Sequence, residues 1–335
     1  MADNRAAKLG RRQLGTKGLA VTRLGLGLAA LGRPAYINIG HGEDFPEGRT
    51  VEAMEAHCGR MLNRAFKAGI HYFDAARSYG LAEQFLRSWI DRRGIKPDQI
   101  VVGSKWGYRY TGDWHVDGRV QEVKDHSLAM LKAQFAESTS ILGPFLQLYQ
   151  IHSATPQSGV LDDAKVLDGL RGLRARGILI GATASGPSQS ETIHHILEIQ
   201  SDGQPLFSAV QATWNLLERG AESALREAHR AGVTVLIKEP LANGRLTSKG
   251  EGGRSGPLRS VAERLQVSTD VIALAFVAYQ PWADVVLLGA TTEGQLDSNL
   301  RALKVRLNAD DVQVLDAMRE PAEQYWSRRA GLPWT

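Results

Sequence analysis

Apolar positions along the chain switch repeatedly between two spacings. Segments at about 51–67, 81–92, 120–138, 161–175, 188–199 and 221–231 carry apolar residues three and four apart, the period of a helix buried on one face. Between them fall short apolar runs of strand length, at 70–73, 100–104, 146–151, 178–181, 209–212, 233–238 and 285–288. Helices are expected around 258–265 and 271–279, then at 294–303 and 309–319. Ahead of this alternation, 12–14 and 19–21 read as a hairpin around the turn-forming Gly15-Thr16-Lys17-Gly18. Leu24 to Leu28 is a further strand, broken by Gly25 and Gly27, and a Gly- and Pro-rich loop runs from Gly32 to Gly48.

With the strand at Leu24, eight strands alternate with helices. They are short and rich in Val, Ile and Leu, as strands covered on both faces are. Such alternation implies parallel pairing through right-handed crossovers. The expectation is an α/β fold, a (β/α)₈ TIM barrel with an N-terminal β-hairpin. A doubly wound open sheet is the rival, but no Pro/Gly/Ser-rich linker divides the chain, which favours one closed domain. That domain is expected to span 1–335, with a core of about 10–320 and a C-terminal loop at 321–335.

Composition narrows the function. The chain has 335 residues, 43% hydrophobic and 23% charged, ordinary for a globular enzyme. Its formal charge of +4 comes from basic residues scattered among acids. No basic–aromatic stripe marks a nucleic-acid surface, and none is expected to bind. The single cysteine, Cys58, excludes an internal disulfide and any Cys-x-x-Cys site, and reads as a small buried hydrophobe or a surface thiol. No metal site is expected; the adjacent His194 and His195 lie in a helix and point to different faces. The polar, basic start has no apolar targeting core and no run is long enough to span a bilayer, so the default expectation is a cytoplasmic protein without membrane contact.

Gly25-Leu26-Gly27-Leu28-Ala29-Ala30 matches Gly-x-Gly-x-x-Ala and invites a Rossmann reading. That motif needs a helix N-terminus directly after the glycines. Leu31-Gly32-Arg33-Pro34 follows instead, and Gly and Pro break helices. The glycines read better as a tight strand end approached closely by a ligand or by backbone.

In a barrel, chemistry sits at the C-terminal strand ends. Asp74 follows the second strand, with Tyr79 five residues on; Lys105 ends the third and His152 the fourth. Each alone is ordinary, as a cap, a loop aromatic or a structural histidine. Together on one rim they suit carbonyl reduction. Hydride delivery to a carbonyl carbon builds negative charge on oxygen, which a proton donor must meet. A lysine ammonium beside the tyrosine favours the phenolate and lowers its pKa, an aspartate fixes the lysine, and a histidine orients the carbonyl.

These residues carry a resemblance. Gly69-Ile70-His71-Tyr72-Phe73-Asp74-Ala75-Ala76-Arg77-Ser78-Tyr79-Gly80 resembles the aldo-keto reductase signature. Gly103-Ser104-Lys105-Trp106-Gly107 and Leu148-Tyr149-Gln150-Ile151-His152-Ser153 resemble the family's lysine and histidine strands. The run from Leu288 to Asn299 resembles its adenosine-phosphate element, in a form closest to the potassium-channel β-subunit-like branch. The motifs occur in order over nearly the whole chain. The resemblance implies a catalytic tetrad of Asp74, Tyr79, Lys105 and His152, with Tyr79 as general acid. It implies an NAD(P)(H)-dependent oxidoreductase interconverting aldehydes or ketones, including aldoses, with alcohols. The alternative is a cofactor-binding regulatory subunit with little turnover.

The resemblance also assigns the cofactor site. Trp214 would stack on the nicotinamide and Gln211 would hold its carboxamide. Pro240, Leu241 and Asn243 would span the pyrophosphate, with Glu239 standing where many relatives carry Ser. Gly289, Thr291, Gln295 and Asn299 would hold the adenosine end. Where relatives read Gly-x-Ser-Asn after strand five, Ala184 cannot make the carboxamide bond, leaving Thr183 or Ser185. Lys249 would meet a 2′-phosphate, so NADP(H) is favoured over NAD(H). Expected substrate walls are Tyr36 and the long loop, Trp106, Tyr108, Trp114, Trp326 and Trp334, around a small-molecule carbonyl substrate. His41, Glu43 and Asp44 read as surface loop. Nothing in the pattern decides between monomer and oligomer.

Overall fold

The computed structural model describes residues 10–15, 19–117, 120–254 and 256–335. Eight parallel strands close into a barrel. They are β1 (Leu24–Gly27), β2 (Tyr72–Asp74), β3 (Val101–Trp106), β4 (Leu146–Ala154), β5 (Leu179–Ala184), β6 (Ala209–Thr213), β7 (Thr234–Lys238) and β8 (Val285–Leu288). Each pairs with its sequence neighbours, and β8 closes on β1 through Leu287 opposite Gly25. The open-sheet rival is excluded by that closure.

The helices are α1 (Val51–Ala68), α2 (Ala82–Arg93), α3 (Leu128–Leu142), α4 (Ala164–Ala175), α5 (Gln189–Glu198), α6 (Glu222–Arg230), α7 (Gly256–Arg264), α8 (Thr269–Ala278), α9 (Glu293–Leu300), α10 (Ala309–Asp316) and α11 (Ala322–Ala330). Local chemistry fixes several ends. Thr50, Ser127, Asp163 and Thr292 each accept a backbone N–H of the first turn that follows them. Gly69 ends α1 at φ 95, a conformation a side chain disfavours.

The alternation of strand side chains divides the apolar residues into two clusters. The larger lies between the barrel and its helices. The smaller fills the barrel floor with Tyr72, Val101, Leu148 and Leu236, and takes in Leu14 and Val21 of the N-terminal hairpin (Arg11–Leu14 with Leu19–Thr22). The hairpin thus plugs the end of the barrel opposite the chemistry. Its turn at 16–18 lies outside the described residues.

The floor explains the early glycines. A Cβ on Gly25 would come 2.7 Å from the Tyr72 ring, and one on Gly103 would come 2.5 Å from the Tyr72 hydroxyl. The barrel interior has room for one tyrosine there only because two neighbouring strands offer hydrogen in place of a side chain.

Two expectations are corrected. The helix expected from 120 starts only at Leu128, because Glu122–Lys124 pairs with Tyr108–Tyr110 as a hairpin on the barrel mouth and Ser127 caps the helix. The C-terminal segment expected as loop contains α11, whose Tyr325 is buried in the outer core. Beyond α11, the Thr335 and Tyr36 backbones exchange two hydrogen bonds, 3.1 and 3.2 Å, tying the end of the chain to the long first loop.

Candidate active site

Asp74, Lys105 and His152 occupy inward positions on the adjacent strands β2, β3 and β4, one layer above the apolar floor. The Lys105 ammonium donates to Asp74 Oδ2 and to the Ala75 carbonyl at 3.0 Å. Asp74 Oδ1 accepts from the Tyr72 hydroxyl, Gln150 Nε2 and Gln211 Nε2 at 3.1, 3.2 and 3.1 Å. A buried carboxylate survives here because every face of it meets a donor.

Tyr79, on the loop after β2, lies across this group. The Lys105 Nζ sits 4.7 Å from its ring centroid and the Arg33 guanidinium 5.2 Å. The His152 ring meets it edge-on at 5.5 Å, and His152 Nδ1 lies 3.3 Å from Ser78 Oγ. All four expected catalytic residues therefore come together.

The electrostatics differ from the sequence expectation. Burial, with the Asp74 charge behind it, holds the Tyr79 phenol well above its usual range, and Arg33 only partly offsets them. Burial first, then Lys105, Arg33 and Lys238, push His152 well below the ordinary histidine range. At neutral pH the site presents a phenol and a neutral imidazole.

A cavity of about 660 Å³ opens over this group and runs from Tyr79 and Gln211 to Ser298, Asn299 and Arg301. Its extent exceeds what one small carbonyl compound fills and suits a dinucleotide beside it. Asn243 Oδ1, buried and without a partner, belongs to its wall. A side chain added at Gly289 or Gly294 would meet nothing within 4 Å. The loop after β7 and the N-terminal turn of α9 thus fit an elongated polar ligand.

The expected cofactor residues divide. Gln211, Pro240, Leu241, Asn243, Lys249, Gly289, Gln295 and Asn299 line the cavity. Trp214 does not. Along β6, Gln211 and Thr213 point inward and Trp214 outward, where it stacks on Phe276 at 5.4 Å and meets Trp282 edge-on at 4.8 Å. It is outer core rather than a nicotinamide platform. Thr291 is also turned from the cavity; its hydroxyl donates to Asp44 at 2.5 Å. Of the two candidates after β5, Thr183 is occupied by the Ser153 amide at 2.6 Å, while Ser185 faces the cavity.

Among the expected walls, Tyr36 and Trp334 line the cavity and flank Arg33, and Tyr108 packs on His152 at 5.0 Å. Trp106 lies in the outer core. Trp114 donates to the Arg49 carbonyl at 2.6 Å, away from the cavity. Trp326 packs beside Tyr325. His41 and Asp44, expected on a surface loop, are buried.

Sequence reasoning missed a second charged group on the opposite wall. Lys238 donates to Thr213 Oγ1 at 2.8 Å and Ser185 Oγ at 3.1 Å, and burial pushes its ammonium down to about 8. Glu239 takes a left-handed φ of 53 and receives the Arg329 guanidinium of α11 on both oxygens. Burial would raise the Glu239 carboxyl, but Arg329 and Lys238 reverse this and bring it to about 2. The strand-end rule that singles out Lys105 applies equally to Lys238. Nothing local points to Arg33, whose place rests on Tyr36 nearby and on Tyr79 and Trp334 distant in sequence.

A model of the aldo/keto reductase family matches residues 23–320. The chain is 26% identical over 318 residues to a 6-dehydroglucose reductase of Novosphingobium aromaticivorans, covering 90% of this chain and 92% of the relative. It is 23% identical over 341 residues to an NADH-specific methylglyoxal reductase of Escherichia coli, covering 93% and 98%. Among solved structures, the holo form of aldo-keto reductase AKR11C1 from Bacillus halodurans is similar in fold, with a TM-score of 0.69 at 22% identity over 95% of this chain and 99% of that one.

Proposed function

The chain belongs to the aldo/keto reductase family, oxidoreductases acting on carbonyl compounds, and from that premise we propose that it reduces a small, oxygen-rich aldehyde or ketone with Tyr79 as the proton donor. The observation that carries this reading is the convergence of three inward strand positions, Asp74, Lys105 and His152, beneath one phenol at the cavity floor.

A bound dihydronicotinamide supplies the hydride. Gln211, Asn243, Gly289, Gln295 and Asn299, which line the cavity, would hold that dinucleotide. The carbonyl oxygen, as it gains charge, takes the Tyr79 proton, so hydride and proton together complete the alcohol. Lys105 and Arg33, on the two sides of the ring, stabilise the phenolate left behind. Asp74 keeps Lys105 in place. His152, neutral, is available as a hydrogen-bond partner of the substrate oxygen. A phenol held protonated favours reduction; the reverse direction needs the phenolate and should gain rate as pH rises.

Arg33, Glu122 and Ser153 line the cavity beside Tyr79 and suit substrate hydroxyl or oxo groups. Two relatives carry 6-dehydroglucose and methylglyoxal in their names, both oxygen-rich. The test follows absorbance at 340 nm with NADH and NADPH against aldehydes, ketones and aldoses. Tyr79→Phe should cut turnover by about 10²–10⁴-fold while dinucleotide affinity stays within about twofold. Undiminished turnover in that variant would refute the assignment, and absence of turnover despite cofactor binding would favour a regulatory subunit.

A further inference from the structure

Building on the proposed nicotinamide site, we infer that the carboxylates Asp44 and Glu43 of the long first loop set its preference to NAD(H) and against NADP(H), reversing the expectation drawn from Lys249.

The turn His41–Asp44 folds back onto the outer end of the cavity. It is anchored from below by His41, which is buried and meets Phe45 edge-on at 5.0 Å and Tyr36 at 6.2 Å. This anchoring carries the two carboxylates to Lys249 and to Gln295, two residues of the cavity wall. Asp44 Oδ2 accepts from Thr291 Oγ1 at 2.5 Å, and Oδ1 accepts from Gln295 Nε2 at 3.1 Å. Lys249, the cation expected to meet a 2′-phosphate, instead lies 3.1 Å from Glu43 and 3.5 Å from Asp44, and donates to the Gly40 carbonyl at 3.0 Å.

The one cation the resemblance offers to a 2′-phosphate, and the Thr291 and Gln295 side chains of the adenosine element, are therefore already committed to carboxylates of this chain. Asp270 adds a further acid, this one on the cavity wall, held by Asn299 Nδ2 at 3.0 Å. Arg301 is the other cation at this end; it is exposed and donates to Ser298 Oγ at 3.3 Å. Lys249 and Arg301 thus meet Glu43, Asp44 and Asp270 there, with Arg49 behind Asp44. A ribose hydroxyl is compatible with such a surround, since carboxylates accept from it. A dianionic phosphate placed there repels two carboxylates and must displace one of them from Lys249.

The test is equilibrium binding, read by quenching of protein fluorescence with NADH and NADPH, so that it does not depend on turnover. The wild-type protein should bind NADH at least about tenfold tighter, a ratio that shrinks with added salt. Glu43→Gln and Asp44→Asn should each reduce the ratio by about threefold or more, by improving NADPH binding. Asp44 is buried and its variant risks misfolding, whereas Glu43 is 79% exposed, so its variant keeps the test decisive. Arg301→Ala removes a cation from the same end and should widen the ratio. Tighter binding of NADPH, a ratio unmoved in both carboxylate variants, or an NADPH preference lost in Arg301→Ala would overturn the inference while leaving the nicotinamide site intact. Binding of neither dinucleotide would remove the site and the inference together.

Discussion

The two ends of the cavity are built on different principles. At the Tyr79 end, Asp74, Lys105 and His152 hang from adjacent strands, and their direction follows from strand alternation and barrel closure. At the Lys249 end, the walls are loops after β1, β7 and β8, and their side chains are positioned by one another. The three strand residues of the first end keep their directions if a single loop shifts. The second depends on contacts such as Asp44 with Thr291, 247 residues apart. The proposed chemistry thus rests on strand positions, and the proposed discrimination between cofactors on contacts between loops.

Substitutions can separate the two. The largest effect is expected for Lys105→Met, which removes the cation beside Tyr79 and leaves Asp74 with its three remaining donors. Single-turnover reduction should slow by about 10²–10⁴-fold. Dinucleotide affinity should stay nearly unchanged, and a collapse of affinity would show that the ends are not independent. Next in size is Arg329→Ala, which leaves Glu239 charged without its partner on the cavity wall. Because Arg329 is partly exposed, the loss is expected at about 2–3 kcal/mol, below that of a fully buried pair. Denaturant unfolding would measure it, and adding Glu239→Gln should restore much of the stability.

A comparable loss, about 2 kcal/mol, is expected for Trp214→Leu from the void left against Phe276 and Trp282. Cofactor affinity should not change. A large drop in NADH binding without a stability loss would return Trp214 to the cofactor site.

The smallest effect concerns pH. Burial brings both His41 and His126 down to about 4 and holds His152 low as well. Between the unfolded histidine value of about 6.5 and those folded values, the unfolded chain binds protons that the folded chain does not. Stability therefore falls as pH drops from about 6.5 towards 4. His41 has neither ring nitrogen partnered, so His41→Phe should flatten part of that slope and add about 1 kcal/mol near pH 5. An unchanged slope would mean that His41 keeps its ordinary pKa.

Much of this was legible in the sequence. The eight strands, their parallel order, and the tetrad at the ends of β2 to β4 follow from hydrophobic period and strand-end position. Those signals are local, and the barrel geometry makes them sufficient. Lys238 was equally legible by the same rule. The helix start at Leu128 and the helix α11 were not. Both depend on which surface an amphipathic segment finds, here the barrel mouth and Tyr325's place in the outer core.

The sequence by itself determined the fold class, the family, and that Asp74, Lys105 and His152 share one rim, because strand alternation and closure leave each inward side chain one direction. Tertiary structure alone decided that Trp214 faces away from the cavity, that Asp44 occupies the donors of Thr291 and Gln295, and that the Tyr79 phenol is pushed above its ordinary range. Each of those outcomes is a balance between burial and charges contributed by segments distant along the chain, and such a balance exists only once the segments meet.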